Sequence, residues 1–236
     1  MRIAVIPARG GSKRVGRKNV RDFLGKPIIR YSIEACLKAD RFDRVIVSTD
    51  NDEIASTSIS CGAEVPFLRP ATMADDHTPV RIVVEHARQW FLEKGIPVVS
   101  TTCVLATAPL LTHERLRGYL DEWWSSGKPR GFAVSRFSYP PQRGFLLEGG
   151  NREIRPLLPE LLPHRSQELP AVYHDAGLVY FRRYDLEIDP IAPFISPDSH
   201  PILVSSLEAW DIDTEEDWQI AEAIFRGARQ CTTITS

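Results

Sequence analysis

The chain has 236 residues, of which 43% are hydrophobic and 25% charged, and its formal net charge is −2. These values are typical of a globular protein with a sizeable core, and they do not favour nucleic acid or a membrane surface as a partner. The four cysteines form no C-x-x-C pair, which argues against a zinc site and a disulfide framework. Since we find no signal peptide and no stretch long enough to span a bilayer, we expect a cytoplasmic protein.

The first predicted element is a buried strand that leads into a loop suited to anions. Ile3 to Ile6 form an apolar run, and Pro7 ends it. Gly10 and Gly11 then let the backbone approach a ligand closely. Five cations and a hydroxyl lie in the same loop: Arg9, Ser12, Lys13, Arg14, Arg17 and Lys18.

Spacing narrows the function of this glycine loop. Gly16 is followed by Arg17, which excludes a Walker A loop, and Ser12 breaks the dinucleotide fingerprint. The loop therefore predicts a phosphate or triphosphate cradle of another type, with a solvated basic surface loop as the alternative. A position directly after the first strand of an α/β sheet favours the cradle, because ligands bind at that edge.

Helical and extended patterns then alternate along the chain. The patterns predict helices over Asp52–Ser60, Val80–Lys94 and Thr112–Ser125, an earlier helix starting at Pro27, and extended segments over Asp43–Asp50, Ala63–Leu68, Val98–Ala106, Gly131–Phe137, Ala176–Arg182 and Ile202–Ser205. This alternation predicts one α/β domain over residues 1–236, with a three-layer, doubly wound and mostly parallel sheet.

Prolines interrupt the alternation between Tyr139 and Pro170. Six prolines and few periodic stretches predict neither a regular strand nor a long helix there. A structureless loop of this length is unusual inside a compact domain, so we interpret residues 139–172 as an insertion that folds against a second copy of the chain. Four leucines would supply its contact patch: Leu157, Leu158, Leu161 and Leu162.

Two carboxylates stand close together near the end of the chain. In an extended segment Asp211 and Asp213 point to the same side, while Ile212 points into the core. Paired carboxylates repel each other unless a cation lies between them, so the pair predicts a Mg²⁺ site completed by phosphate oxygens. The alternative is that both acids merely precede and cap the last helix, where Thr214 and Asp217 form a capping box.

Other polar residues remain ambiguous from the residues alone. Arg69 with Thr78 suggests a well-satisfied turn, whereas the small residues around Thr107 leave room for a ligand. Two arginines, Arg143 and Arg165, could clamp a carboxylate or phosphate, or could simply face solvent. His174 beside Asp175 could be an oriented general base or only a hydrogen-bonding residue.

Several strings together resemble one enzyme family. Ile6-Pro7-Ala8-Arg9-Gly10-Gly11-Ser12-Lys13, continued by Lys18-Asn19, is similar to the N-terminal signature of cytidylyltransferases that activate nine-carbon sialic-type acids as CMP-sugars. The stretch from Asp211 to Trp218 matches the D-I-D-T-x-E-D-W motif that holds magnesium in that family. Ala106-Thr107-Ala108-Pro109, and R-S-Q followed by Y-H-D-A-G at Tyr173–Gly177, resemble its pseudaminic acid branch in particular.

The resemblance implies a nucleotide-diphospho-sugar transferase fold, a homodimer, and transfer of CMP from CTP to a nonulosonic acid. It implies catalytic roles for Arg9, Lys13, Asp211 and Asp213, with Mg²⁺ on the two aspartates. Nucleotide contacts are implied for Ala8, Arg9, Gly10, Gly11, Ser12, Lys13, Asn19, Arg69 and Thr78. Sugar contacts are implied for Thr107, Arg143, Arg165, Gln167, His174 and Asp175.

Pseudaminic acid is the acceptor that the resemblance favours. N-acetylneuraminic and legionaminic acids are alternatives. CMP-Kdo synthesis is disfavoured, because those enzymes carry Thr where Lys13 stands and Pro where Asn19 stands. A non-catalytic nucleotide-binding protein of the same fold is a further alternative.

Overall fold

The computed structural model describes residues 1–12, 14–149 and 153–234, with side chains described as far as residue 228. The strands are β1 Arg2–Pro7, β2 Asp22–Phe23, β3 Lys26–Pro27, β4 Arg44–Ser48, β5 Ser100–Val104, β6 Arg130–Arg136, β7 Phe145–Glu148, β8 Glu153–Pro156, β9 Tyr173–Arg183 and β10 Ser199–Leu203. The helices are α1 Ile28–Ala39, α2 Asp52–Ser60, α3 Val80–Leu92, α4 His113–Ser125 and α5 Glu215–Ile234.

The central sheet has six strands within the described chain, in the order β10-β6-β9-β5-β1-β4. Only β9 runs antiparallel to its neighbours β5 and β6 there, and the other pairings are parallel. Apolar side chains of α1 and α4 pack on one face of the sheet, and those of α3 pack on the other. The prediction of a three-layer, mostly parallel α/β sheet is confirmed.

A third apolar cluster joins the two ends of the chain. Val15, from the loop after β1, packs with Ile212 and Trp218 near the start of α5, and all three side chains are buried. The Phe23 ring meets the Trp218 ring edge-on with 5.5 Å between the centroids. Because Val15 and Ile212 belong to one cluster, the glycine loop and the Asp211/Asp213 pair are brought to the same edge of the sheet.

The segment 139–172 contains a hairpin that the sequence analysis missed. Strands β7 and β8 pair antiparallel, with Phe145 opposite Pro156 at one end and Glu148 opposite Glu153 at the other. The prediction of no regular strand was wrong because the prolines flank these strands or stand at the end of β8, where a missing N–H disrupts the ladder least. The exposed apolar side chains here include Leu147, Ile154 and Leu157.

Smaller differences concern element ends. The extended segment Ala63–Leu68 joins β4 through isolated bridges only, at Glu64 and Leu68. The last strand begins at Ser199 rather than at the predicted Ile202. None of the helices in the described part of the chain has the length and apolar character that crossing a bilayer requires.

Candidate active site

A cleft of about 700 Å³ opens at the carboxyl ends of β1 and β5. Its walls come from the glycine loop, from the segment before α3, from the residues after β5 and from the Asp211/Asp213 pair. The structure therefore brings most of the predicted nucleotide and metal residues together. Those lining the cleft are Arg9, Ser12, Asn19, Arg69, Thr78, Thr107, Asp211 and Asp213.

Hydrogen bonds hold the glycine loop in place. The Gly10 N–H donates to Asp50 Oδ1 at 2.9 Å, and Asn19 Nδ2 donates to the Arg9 carbonyl at 2.9 Å. A Cβ on Gly10 would lie 3.0 Å from the Asn51 Cβ, so a larger residue here would require Asn51 to shift. Ala8 is buried beneath the loop, Gly11 is in open space, and Lys13 lies outside the described residues.

Two cations of the loop reach the Asp211/Asp213 pair. Arg14 Nη2 lies 2.8 Å from Asp213 Oδ1, and Lys18 Nζ lies 3.5 Å from the same oxygen. Lys18 also donates to the Ile212 carbonyl at 2.6 Å, and only 19% of its side chain is exposed. The sequence analysis noted both cations but gave neither a site role, because spacing does not show which side chains turn inward.

The two aspartates face the cleft in an electrostatically unfavourable arrangement. Asp211 is open to the cleft yet largely surrounded by protein, and this desolvation, together with the Asp213 carboxylate, raises the pKa of Asp211. The N-terminal cap of α5 comes instead from Thr214 and Asp217, whose side chains each accept the other's backbone N–H at 3.1 and 2.8 Å. The capping explanation for Asp211 and Asp213 is therefore wrong.

Arg9 and Arg69 also line the cleft. Arg9 pairs with Asp76 at 2.5 Å, which gives Asp76 a place in the site that the sequence analysis did not find. Only 4% of the Arg69 side chain is exposed, and burial lowers the pKa of its guanidinium. Its Nε and Nη2 have no hydrogen-bond partner among the residues that the structure describes, and the Asp50 carboxylate lies 3.9 Å from Nη2.

The other residues predicted to contact the sugar do not line this cleft. Arg143 donates to Ser166 Oγ at 3.1 Å, and the Arg165 side chain is exposed. Gln167 lines a neighbouring cleft of about 550 Å³ at the end of β6. His174 and Asp175 occupy the start of β9, in the row of strands between the two clefts.

His174 and Asp175 do not form a catalytic dyad in this structure. The imidazole Nδ1 lies 2.8 Å from the Asp175 backbone carbonyl, not from its carboxylate. That carboxylate accepts hydrogen bonds from the Tyr180 hydroxyl at 2.8 Å and the Gly177 N–H at 3.0 Å. The interpretation of His174 as a base oriented by Asp175 therefore has no geometric support.

Comparison with known proteins decides the family. A family model described as cytidylyltransferase matches residues 3–130. The chain is 36% identical over 226 residues to a pseudaminic acid cytidylyltransferase of Campylobacter jejuni, covering 95% of this chain and 96% of the relative. The chain belongs to the cytidylyltransferase family. The family resemblance stated from the sequence is thereby confirmed.

Two further comparisons bear on this cytidylyltransferase. A CMP-N,N'-diacetyllegionaminic acid synthase of Legionella pneumophila is 32% identical, covering 94% of this chain and 95% of the relative. The solved structure of a CMP:2-keto-3-deoxy-manno-octonic acid synthetase complexed with CTP matches with a TM-score of 0.67 at 17% identity, covering 96% of this chain and 99% of that one. At this identity the structural likeness establishes the fold.

Proposed function

We propose that this enzyme transfers CMP from CTP to the anomeric hydroxyl of a nonulosonic acid, with pseudaminic acid as the favoured acceptor, and releases pyrophosphate. The observation that carries the proposal is the meeting of the basic glycine loop with the Asp211/Asp213 pair in one cleft. A basic loop alone would suit many anions. A basic loop facing two carboxylates suits a nucleotide triphosphate bound together with a divalent cation.

The reaction requires alignment of the substrates and neutralisation of charge more than covalent chemistry. We assign Arg9 and Ser12, with Lys13 by family resemblance, to the triphosphate, where their positive charge and donors would stabilise the leaving pyrophosphate. In the structure Arg9 is held by Asp76, so the nucleotide would draw Arg9 away from that partner. Arg69 would donate to the cytosine base, because this residue lines the cleft and its guanidinium carries several N–H donors.

The carboxylates of Asp211 and Asp213 fit a divalent cation, and we propose Mg²⁺ as that ion. Both side chains face the cleft, and desolvation together with the Asp213 carboxylate raises the pKa of Asp211 even though the Lys18 cation opposes this shift. The described residues contain no group of three or more metal-binding side chains, so phosphate oxygens and water would complete the coordination. Bound Mg²⁺ would supply neutralisation of phosphate charge and activation of the acceptor hydroxyl.

Pseudaminic acid is preferred as acceptor because the Campylobacter relative carries that name and matches nearly the whole chain. For sugar contacts we keep Thr107 in the cleft and propose Arg143, Arg165, Gln167, His174 and Asp175 on the insertion side. The two clefts are separated by the start of β9, and neighbouring strands lie about 5 Å apart. A nine-carbon sugar acid could therefore extend between them.

We also propose that the chain is a single domain and that residues 139–172, an insertion in it, mediate a homodimer. The proposed location is the cytoplasm, where CTP is made. The hairpin β7–β8 exposes Phe145, Leu147 and Ile154, and each of these side chains is more than half exposed. A second copy of the chain would cover this surface. Light scattering tests the assignment: a mass near 26.6 kDa at micromolar concentration would rule it out.

The decisive experiment for the function is incubation with CTP, Mg²⁺ and single acceptors, with the CMP-sugar detected by mass spectrometry. The acceptors are pseudaminic, legionaminic, N-acetylneuraminic and Kdo acids. We expect product with pseudaminic acid and a lower rate with the others. Absence of product and pyrophosphate with every acid, in a sample that is folded, would favour a non-catalytic nucleotide-binding protein.

A further inference from the structure

Three buried polar atoms behind the nucleotide cleft have no hydrogen-bond partner within the described chain. Two of them are Nε and Nη2 of Arg69, and the third is Nδ1 of His86 in α3. An unpartnered buried polar group is costly, and such groups are uncommon in folded proteins. Their occurrence together leaves two donors and one acceptor that can pair with each other.

The backbone places Arg69 beside the face of α3 that carries His86. Residues 67–69 are extended along the end of β4, since Thr49 pairs with Leu68 and its carbonyl accepts the Arg69 N–H at 2.7 Å. In an extended chain Phe67 and Arg69 point to the same side. The Phe67 ring meets the His86 ring edge-on, with 4.8 Å between the centroids. The Arg69 side chain leaves the backbone two residues after Phe67, on the side that faces His86.

His86 lies behind the cleft rather than in it. Val80 and Val83 of α3 line the cleft, and His86 follows Val83 by three residues on the same helical face. His86 therefore lies one turn of α3 beyond residues that line the cleft, and it does not line the cleft itself.

The charges around His86 favour a neutral ring that can accept a hydrogen bond. Burial, followed by the nearby Arg69 cation, lowers the pKa of His86, and Glu93 at the end of α3 opposes this effect. A neutral imidazole protonated on Nε2 leaves Nδ1 as an acceptor, and Arg69 has free N–H donors. Donor and acceptor are thus chemically matched.

We propose that His86 is a positioning residue for Arg69. When CTP is bound, the Nδ1 of His86 accepts one N–H of the guanidinium, and this hydrogen bond orients Arg69 toward the pyrimidine of the nucleotide. The proposal rests on the proposed function only in taking CTP as the nucleotide. His86 itself would touch neither substrate.

Two polar substitutions separate positioning from packing. In His86→Asn the amide oxygen takes the place of Nδ1, whereas in His86→Gln the amide reaches the place of Nε2 and the acceptor is lost. With CTP as titrant in calorimetry, we expect His86→Gln to bind about tenfold more weakly and His86→Asn to remain within about threefold of the parent chain. The kcat at saturating CTP should change less than twofold. His113→Gln, at the start of α4, is the matched control and should bind as the parent does.

A double-mutant cycle with Arg69→Gln tests whether His86 acts through Arg69. If it does, the double variant His86→Gln/Arg69→Gln should bind CTP no more weakly than Arg69→Gln alone. Additive losses, or equal losses in His86→Asn and His86→Gln, would overturn the proposal. Absence of CTP binding by the unsubstituted enzyme would instead overturn the proposed function.

Discussion

Two buried arginines in this molecule have opposite surroundings. Arg182 in β9 donates to the backbone carbonyls of Asp189, Pro190 and Ala192, and its guanidinium lies 4.7 Å from the centre of the Phe194 ring. Arg69 is nearly as buried but leaves two nitrogens without partners in the described chain. Burial lowers the pKa of both groups.

The difference separates a structural region from a functional one. Arg182 fastens the loop that follows β9 through three hydrogen bonds from Nη1 and Nη2, although its Nε has no partner among the described residues. Arg69 lines the cleft, its Nε and Nη2 make no hydrogen bond to the described residues, and the protein bears the cost of burying them. Substitutions in the cleft should therefore reduce activity with little loss of stability, while substitutions around Arg182 should do the reverse.

The largest effect is expected at Asp213. Asp213→Asn removes a carboxylate from the proposed metal site, and turnover should fall at least about a thousandfold at every Mg²⁺ concentration tested. The free energy of unfolding should stay close to that of the parent, since α5 is capped by Thr214 and Asp217. Pyrophosphate release and urea unfolding measure the two quantities. Asp121→Asn, which breaks a surface pair with Arg41, serves as the control, and near-normal turnover in Asp213→Asn would refute the metal role.

Arg182→Gln should give the largest loss of stability. It leaves buried carbonyls of the 189–192 loop without their donor, which costs roughly 3 kcal/mol in the free energy of unfolding. For a chain of this size that corresponds to a fall of about 10 °C in Tm. Arg155→Gln, at an exposed pair with Glu148, should change Tm by less than about 2 °C. An unchanged Tm in Arg182→Gln would mean that the carbonyls find other partners and that the contrast with Arg69 is false.

Much of this arrangement was predictable from local sequence. The apolar run ending at Pro7, the glycine loop and the alternation of Asp211, Ile212 and Asp213 each reflect a local rule of backbone geometry. The partners of these groups were not predictable. Lys18 meets the Ile212 carbonyl across 194 positions of the chain, through packing of Val15 on Ile212, and no spacing rule describes a contact of that range.

Burial was equally hidden from the sequence. Arg69 suggested a satisfied turn on residues alone, and the sequence analysis gave His86 no role. Their common position became visible only when the extended segment 67–69 was placed against α3. The hairpin β7–β8 was missed for a related reason, because a count of prolines does not show whether they stand inside the paired residues or beside them.

Arg69→Gln tests whether Arg69 serves CTP binding rather than stability, in contrast to Arg182. Loss of a charged donor to the base should raise the KM for CTP roughly thirtyfold and leave kcat within about threefold. The free energy of unfolding should be unchanged or higher, since an incompletely paired buried charge has been removed. Initial rates over a range of CTP concentrations, together with thermal unfolding, test both parts. A Tm loss as large as that of Arg182→Gln would show that Arg69 is structural.

The smallest predicted effect concerns pH. Arg182 donates to backbone carbonyls, which do not titrate. Arg69 instead lies near His86, whose imidazole can take up a proton. The pKa of His86 is lowered in the folded chain, so the unfolded chain binds this proton first as the pH falls below about 6.5. The contribution of His86 to stability is therefore complete above that pH, and it is lost as the pH falls from there toward the lower native pKa.

Urea unfolding at pH 7.5 and 5.5 tests this prediction. Between the two pH values the free energy of unfolding should fall more in the parent than in His86→Asn, by a few tenths of a kcal/mol. Equal losses would mean that His86 is not held neutral by its surroundings.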